Sequence, residues 1–188
     1  VLGDMKLMSG VSVIGLIASL VGIVMGPYLA NRFGKKKVYL TAVIISTALN
    51  LLRLLDVTSM ILIYISALIG GVAGGWMVPV NTSIQADNTT YVQYKTGKRA
   101  EAAIASLTSF VSKVAQGLGG AIPGYVIAAY GFVTGASVQP ESINTGIILC
   151  ALILPLIFGI LGLLIFGTQY TLDQKAVIEM DAKINRNN

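Results

Sequence analysis

Residues 87–104 read DNTTYVQYKTGKRAEAAI. The stretch is polar, with Lys95, Lys98 and Arg99 close together, and apolar runs press on it from both sides. A solvated linker, a nucleic-acid patch and part of a membrane-embedded machine all present such a pattern. The rest of the chain decides among them.

The 188 residues are 55% hydrophobic and 11% charged, with a mean hydropathy of +0.79. A soluble domain has about a quarter of its residues charged. This chain could bury a core but could not dress a surface, so the bilayer is the better solvent. The net charge of +5 does not point to nucleic acid. The basic residues lie in short clusters between apolar runs, which fits the positive-inside rule rather than a basic face interleaved with aromatics. Cys150 is alone, so no disulfide forms within the chain. The absence of histidine excludes His-based zinc sites and triads. Val1 is not an initiator Met, and no basic segment with a cleavage site follows it, so the natural protein is expected to be longer.

Five apolar segments reach the roughly 20 residues that a spanning helix needs. They cover residues 8–30, 38–54, 60–84, 100–130 and 143–166. The expected fold is all-α: a polytopic membrane bundle of five transmembrane helices within residues 1–168, followed by a cytoplasmic tail over 169–188. The fourth segment exceeds the hydrocarbon thickness, which implies tilt or protrusion. Three regions hold ten of the 13 Lys and Arg: Arg32 with Lys35, Lys36 and Lys37; Lys95, Lys98 and Arg99; and Lys175, Lys183 and Arg186. The opposite set has only Lys6 and Arg53, the latter near Asp56, and nothing basic over 131–142. This asymmetry puts the basic set in the cytoplasm, the start of the chain outside and its end inside a cell membrane. The opening stretch then reads as a cytoplasmic loop running into a helix.

Small residues recur four apart: Ala18, Gly22 and Gly26; Gly70 and Gly74; Gly71 and Gly75; Gly120 and Gly124. Such spacing lets helix backbones approach closely in lipid, either for static packing or for sliding and rocking. Pro27, Pro79, Pro123 and Pro155 each remove a backbone donor and can kink a helix.

Lys113 is the most informative residue. It follows Arg99 by 14 positions, roughly 21 Å along a helix, well inside the bilayer. A cation there costs several kcal/mol and faces a bundle interior or a water-filled cavity. Ser106, Ser109, Gln116, Gly117 and Gly120 fall near its face. Two readings stand: a snorkelling or structurally paired lysine, and a lysine lining a substrate or ion path. Trp76 and Asn81 offer an aromatic platform and a hydrogen-bonding group of the kind a hydroxyl-rich ligand needs; a packed Trp and a helix–helix hydrogen bond are the alternative. Asp87, Arg99 and Glu101 form a charged edge, either as solvated surface or as salt bridges of an inner gate. The acceptor patterns at Asn81 and Asn88 lie in or beneath the membrane, so no glycosylation is expected. The glycines at 117, 119 and 120 follow no strand, so they are no dinucleotide fingerprint.

GPYLANRFGKKK, residues 26–37, resembles the loop motif of the major facilitator superfamily, with Asn31 where Asp is usual. ADNTTYVQYKTGKRAEAAIASLTSFVSK, residues 86–113, resembles the segment that marks the glycoside–pentoside–hexuronide:cation symporters, the melibiose-permease-like family. Asp87, Tyr91, Lys95, Arg99, Glu101 and Lys113 stand in place; Thr90 stands where a second Asp is frequent. The resemblance covers nearly the whole chain and implies helices eight to twelve of twelve. It implies that Lys113 lies in the sugar and cation cavity, that Thr108 and Ser109 lie near the sugar, and that Trp76 lies near the tenth-helix aromatic. Asp87, Arg99 and Arg32 would stabilise the outward-open state. The coupling cation, Na⁺ or H⁺, would bind mainly to acidic residues of an N-terminal half outside this chain; no other cofactor is implied. The expected activity is alternating-access symport of a sugar or glycoside. A membrane sensor that kept the fold without transport is the alternative, and an intramembrane enzyme lacks its paired carboxylates, His or catalytic motif.

Overall fold

The computed structural model describes residues 5–136 and 139–187, with the backbone alone for 5–7 and 187. Val1, on which the expectation of a longer chain rests, lies outside them, as does the side chain of Lys6. The described chain is helical: α1 (Met5–Phe33), α2 (Lys35–Leu55), α3 (Met60–Thr96), α4 (Glu101–Ala129), α5 (Ser142–Ile148), a π-helical turn (Leu149–Ile153), α6 (Leu154–Gln169) and α7 (Gln174–Asn187).

Among the described residues, four helical spans are long and apolar enough to cross a membrane: Met8–Phe33, Lys35–Leu55, Met60–Thr96 and the continuous Ser142–Gln169. The count of five apolar spans is therefore corrected to four. The fourth expected span, α4, has the length, at 29 residues, but Lys113, Gln116 and three serines at 106, 109 and 112 dilute its apolar character. The outer surfaces of the apolar spans carry Leu16, Ile17, Leu20 and Val24 openly exposed, as befits helices solvated by lipid.

α1 and α3 form the tightest pair, and glycine is the reason. A methyl added at Gly22 would strike the Val72 carbonyl, and one at Gly75 would strike the Ser19 carbonyl. At Gly26 it would stand 2.9 Å from the Trp76 carbonyl oxygen, and at Gly71 it would stand 2.7 Å from that of Gly15. Partner positions rise together along the two helices, so they run parallel, backbone on backbone. Gly74, Gly120 and Gly124 have open space where a Cβ would go. Of the two interleaved pairs in α3, Gly71 and Gly75 face α1.

Chain breaks have local causes. Gly34, at φ 87°, ends α1 and admits α2 after a single residue. Asp56 closes α2: its Oδ1 accepts from the Thr58 hydroxyl at 2.8 Å and from the Thr58 and Ser59 amides at 3.0 Å. Those bonds, the Thr58 hydroxyl first, hold its carboxyl below the usual range. The nearby Arg53 is not its partner. α3 was expected to end near residue 84, yet it runs on through Tyr91 to Thr96. No Gly or Pro interrupts residues 85–96; Gly97, in the left-handed region at φ 69°, stops the helix and its amide bonds Gln93 O at 2.8 Å. Most of the expected loop is thus helix. The expected tail likewise contains α7, which packs against α3. In the last span, Pro155 cannot donate to the preceding turn, and the wider π turn lies directly before it.

Candidate functional site

A cluster of buried apolar side chains, Ala30, Val38, Val80 and Ile84, joins α1, α2 and α3 at the end of the bundle that carries the lysines. Against it sits Asp87, the buried charged side chain among the described residues, at 6% exposure. An isolated carboxylate so placed would be costly. Lys35, the first residue of α2, compensates it: its Nζ donates to both carboxylate oxygens at 2.7 Å. The positive N-terminal end of α2 adds to the same attraction.

A third element closes over the pair. Tyr170, immediately after α6, donates its hydroxyl to Asp87 Oδ2 at a long 3.5 Å. Its ring stacks on Phe166, with centroids 4.7 Å apart, and Phe166 meets Tyr39 of α2 at 4.3 Å. Burial, then the charge and hydrogen bond of Asp87, push the Tyr170 hydroxyl up to about 12. The cluster ties α2, α3 and the end of α6 together at one face of the membrane. Ion pairs of this kind must part before the helix ends can separate, so the arrangement can bias one packing against another. It offers no covalent chemistry.

The residues expected to form a gate are distributed differently. Arg32 does not reach Asp87; its Nη1 donates to the Tyr28 hydroxyl at 3.1 Å, and its guanidinium lies over Phe33. Arg99 and Glu101 bond each other at 2.8 Å, apart from Asp87 and largely exposed. Lys35 and Tyr170 escaped the sequence reading. Lys35 was visible as one of three consecutive lysines, but nothing in the pattern singled it out. Tyr170 stands at the end of the last apolar run, 83 positions from Asp87.

The expected ligand residues fall into two places. Lys113, Ser109 and Gln116 are exposed on α4, with Thr108 half-buried beside them. α4 has no buried residue. Trp76 instead packs against the apolar cluster, lining a groove between α1 and α2. Its Nε1 is buried and finds no acceptor among the described residues. Asn81, one turn further on, is exposed.

Long apolar helices joined by glycine contacts, with one polar lysine-bearing helix among them, define a multi-pass membrane protein. The chain belongs to the MFS/sugar transport protein family, whose model matches residues 1–174. Among curated relatives, it is 32% identical to an uncharacterized symporter of Bacillus subtilis (strain 168), over 96% of this chain and 39% of the relative. It is 30% identical to a glucuronide carrier protein homolog of Escherichia coli (strain K12), over 90% and 39%. A putative sulfoquinovose importer of the same E. coli strain is 25% identical over 99% and 40%. The chain thus spans about two fifths of the length of these relatives. The family and these relatives are transporters, not enzymes.

Proposed function

We propose that the chain is part of a secondary transporter that moves a sugar or glycoside, together with a cation, across a cell membrane by alternating access. The observation that carries this reading is α4. It is long enough to cross a bilayer, yet it presents Lys113, Ser109 and Gln116 on an unburied surface. A charged, hydroxyl-bearing helix among lipid-solvated ones is tolerated where it lines water. In this reading α4 is the fifth crossing, and its polar face borders the substrate path.

The charge of Lys113 favours an anionic sugar. A glucuronide carries a carboxylate and sulfoquinovose a sulfonate, and relatives named for both resemble this chain. Thr108, Ser109 and Gln116 supply hydrogen bonds to hydroxyls, and Asn81 acts from α3; Trp76, expected beside them, packs in the α1–α2 groove and stays outside the path. The basic end faces the cytoplasm, by the positive-inside rule. There the Lys35–Asp87 pair, rather than Arg32 or Arg99, holds the helix ends together when the path opens outward. The coupling cation, Na⁺ or H⁺, binds mainly to a further helical half.

The test is uptake of labelled glucuronide or sulfoquinovose by the full-length transporter in proteoliposomes, with and without imposed Na⁺ and proton gradients. Gradient-driven accumulation supports the reading. Saturable binding without flux would favour a sensor that kept the fold.

A further inference from the structure

Two concavities meet at the basic end. One is a cleft of about 390 Å³ with a mixed wall, where Lys35, Lys36, Lys37, Asp87 and Asp173 stand beside Tyr170 and Leu172. The other, also about 390 Å³, is apolar and lined by Met25, Leu29, Val38 and Trp76 with Phe33 and Lys37. Phe33 and Lys37 line both, so the cavities adjoin. From Phe33 to Met25 is eight residues of α1, about 12 Å along the helix, so the groove runs from the membrane surface into the hydrocarbon. The Thr41 hydroxyl on its wall is turned to its own helix, bonding Lys37 O at 2.8 Å.

The charges in the cleft are unevenly committed. Lys35 is neutralised by Asp87. Asp173 Oδ1 accepts from the Gln174 amide at 2.7 Å, at the start of α7. Lys36 and Lys37 have no ion-pair partner among the described residues. A cleft with two lysines outside any ion pair and a net charge of +1, adjoining an apolar slot, matches an amphiphile with an anionic head.

We propose that this composite pocket binds one anionic glycerophospholipid. Its phosphate lies by Lys36 and Lys37, and one acyl chain runs along Met25, Leu29 and Phe33 to the indole of Trp76. Basic pockets between membrane helices on the cytoplasmic side recognise such headgroups by charge, while apolar burial holds the chain. The site is separate from the substrate path proposed along α4 and does not depend on it.

The experiment is native mass spectrometry of the purified full-length protein with equal amounts of dioleoylphosphatidylglycerol and dioleoylphosphatidylcholine. Phosphatidylglycerol should be retained about fivefold over phosphatidylcholine, the scale expected of a cleft with one net positive charge at the membrane surface. The double substitution Lys36→Gln and Lys37→Gln should remove that preference. Met25→Trp, which fills the slot, should lower retention of both lipids. Equal retention of the two lipids by the unsubstituted protein overturns the proposal, and this comparison needs no variant to fold. Displacement of the lipid by millimolar glycerol 1-phosphate would also overturn it, because the cleft would then be a site for free phosphate.

Discussion

Lys35 and Asp87 stand 52 positions apart in the chain, and the lysine's Nζ lies 2.7 Å from each of the two carboxylate oxygens. Both side chains are mostly buried, at 18% and 8% exposure. Removing one partner of such a pair strands the other charge, which costs about 3 kcal/mol. Asp87→Asn in the full-length protein is therefore expected to lower the thermal midpoint by several degrees. Replacing both residues together, Lys35→Met with Asp87→Leu, should recover most of the loss, since a buried pair is worth little over an apolar one. Thermal denaturation in detergent reads both; an additive double variant would mean the two charges do not act as a pair.

The interleaved glycines of α3 give a sharper contrast. Gly75 lies against the Ser19 backbone, whereas Gly74 has open space around it. Gly75→Val should force α1 and α3 apart and cost at least the 1–3 kcal/mol typical of overpacking. Gly74→Ala should be neutral or slightly stabilising, because alanine favours the helix by up to about 1 kcal/mol. Yield and monodispersity after detergent extraction report the difference. Equal tolerance at both positions would contradict the α1–α3 contact.

What the sequence revealed and what it hid have physical reasons. Apolar runs of bilayer length announce spanning helices whatever they pack against, so the bundle was legible; the family was legible only through the resemblance of residues 26–37 and 86–113 to its motifs. The small-residue spacing announced close contacts but could not choose Gly71 and Gly75 over Gly70 and Gly74, because both pairs share the period. Polarity over residues 87–95 suggested a loop, but polarity does not break a helix; only Gly97 does. Arg32 looked as suitable a partner for Asp87 as Lys35. The break at Gly34 puts Arg32 in the last turn of α1 and Lys35 at the first position of α2. That three-residue offset across a bend is a tertiary fact.

Tyr170 predicts a pH response. Its hydroxyl is raised to about 12 in the fold, against about 10 in an unfolded chain. The neutral phenol is favoured by the native state, so this contribution is complete below pH 10 and is lost as the pH climbs through about 12. Tyr170→Phe should flatten the fall in thermal midpoint across that window and remove from an ultraviolet difference titration the step near pH 12 that belongs to Tyr170. An unchanged titration curve would mean that Tyr170 is not held against Asp87.

Lys113 separates transport from folding. It is exposed on a helix that has no buried residue, so its removal should leave membrane insertion and thermal stability nearly unchanged, within the roughly 0.5 kcal/mol typical of surface positions. If its charge meets the substrate in a water-lined path, losing it removes a charge-assisted contact worth about 1.5–3 kcal/mol, a factor of ten or more in apparent affinity. Lys113→Ala in the full-length protein is accordingly expected to abolish concentrative sugar uptake while inserted protein stays at its normal level. Lys113→Arg should keep more activity toward an anionic sugar than Lys113→Gln, since it keeps the charge. Gradient-driven uptake by Lys113→Ala equal to that of the unsubstituted protein would remove the lysine from the path and leave α4 as a packing element. Loss of inserted protein would instead identify a structural lysine, paired in the assembled transporter.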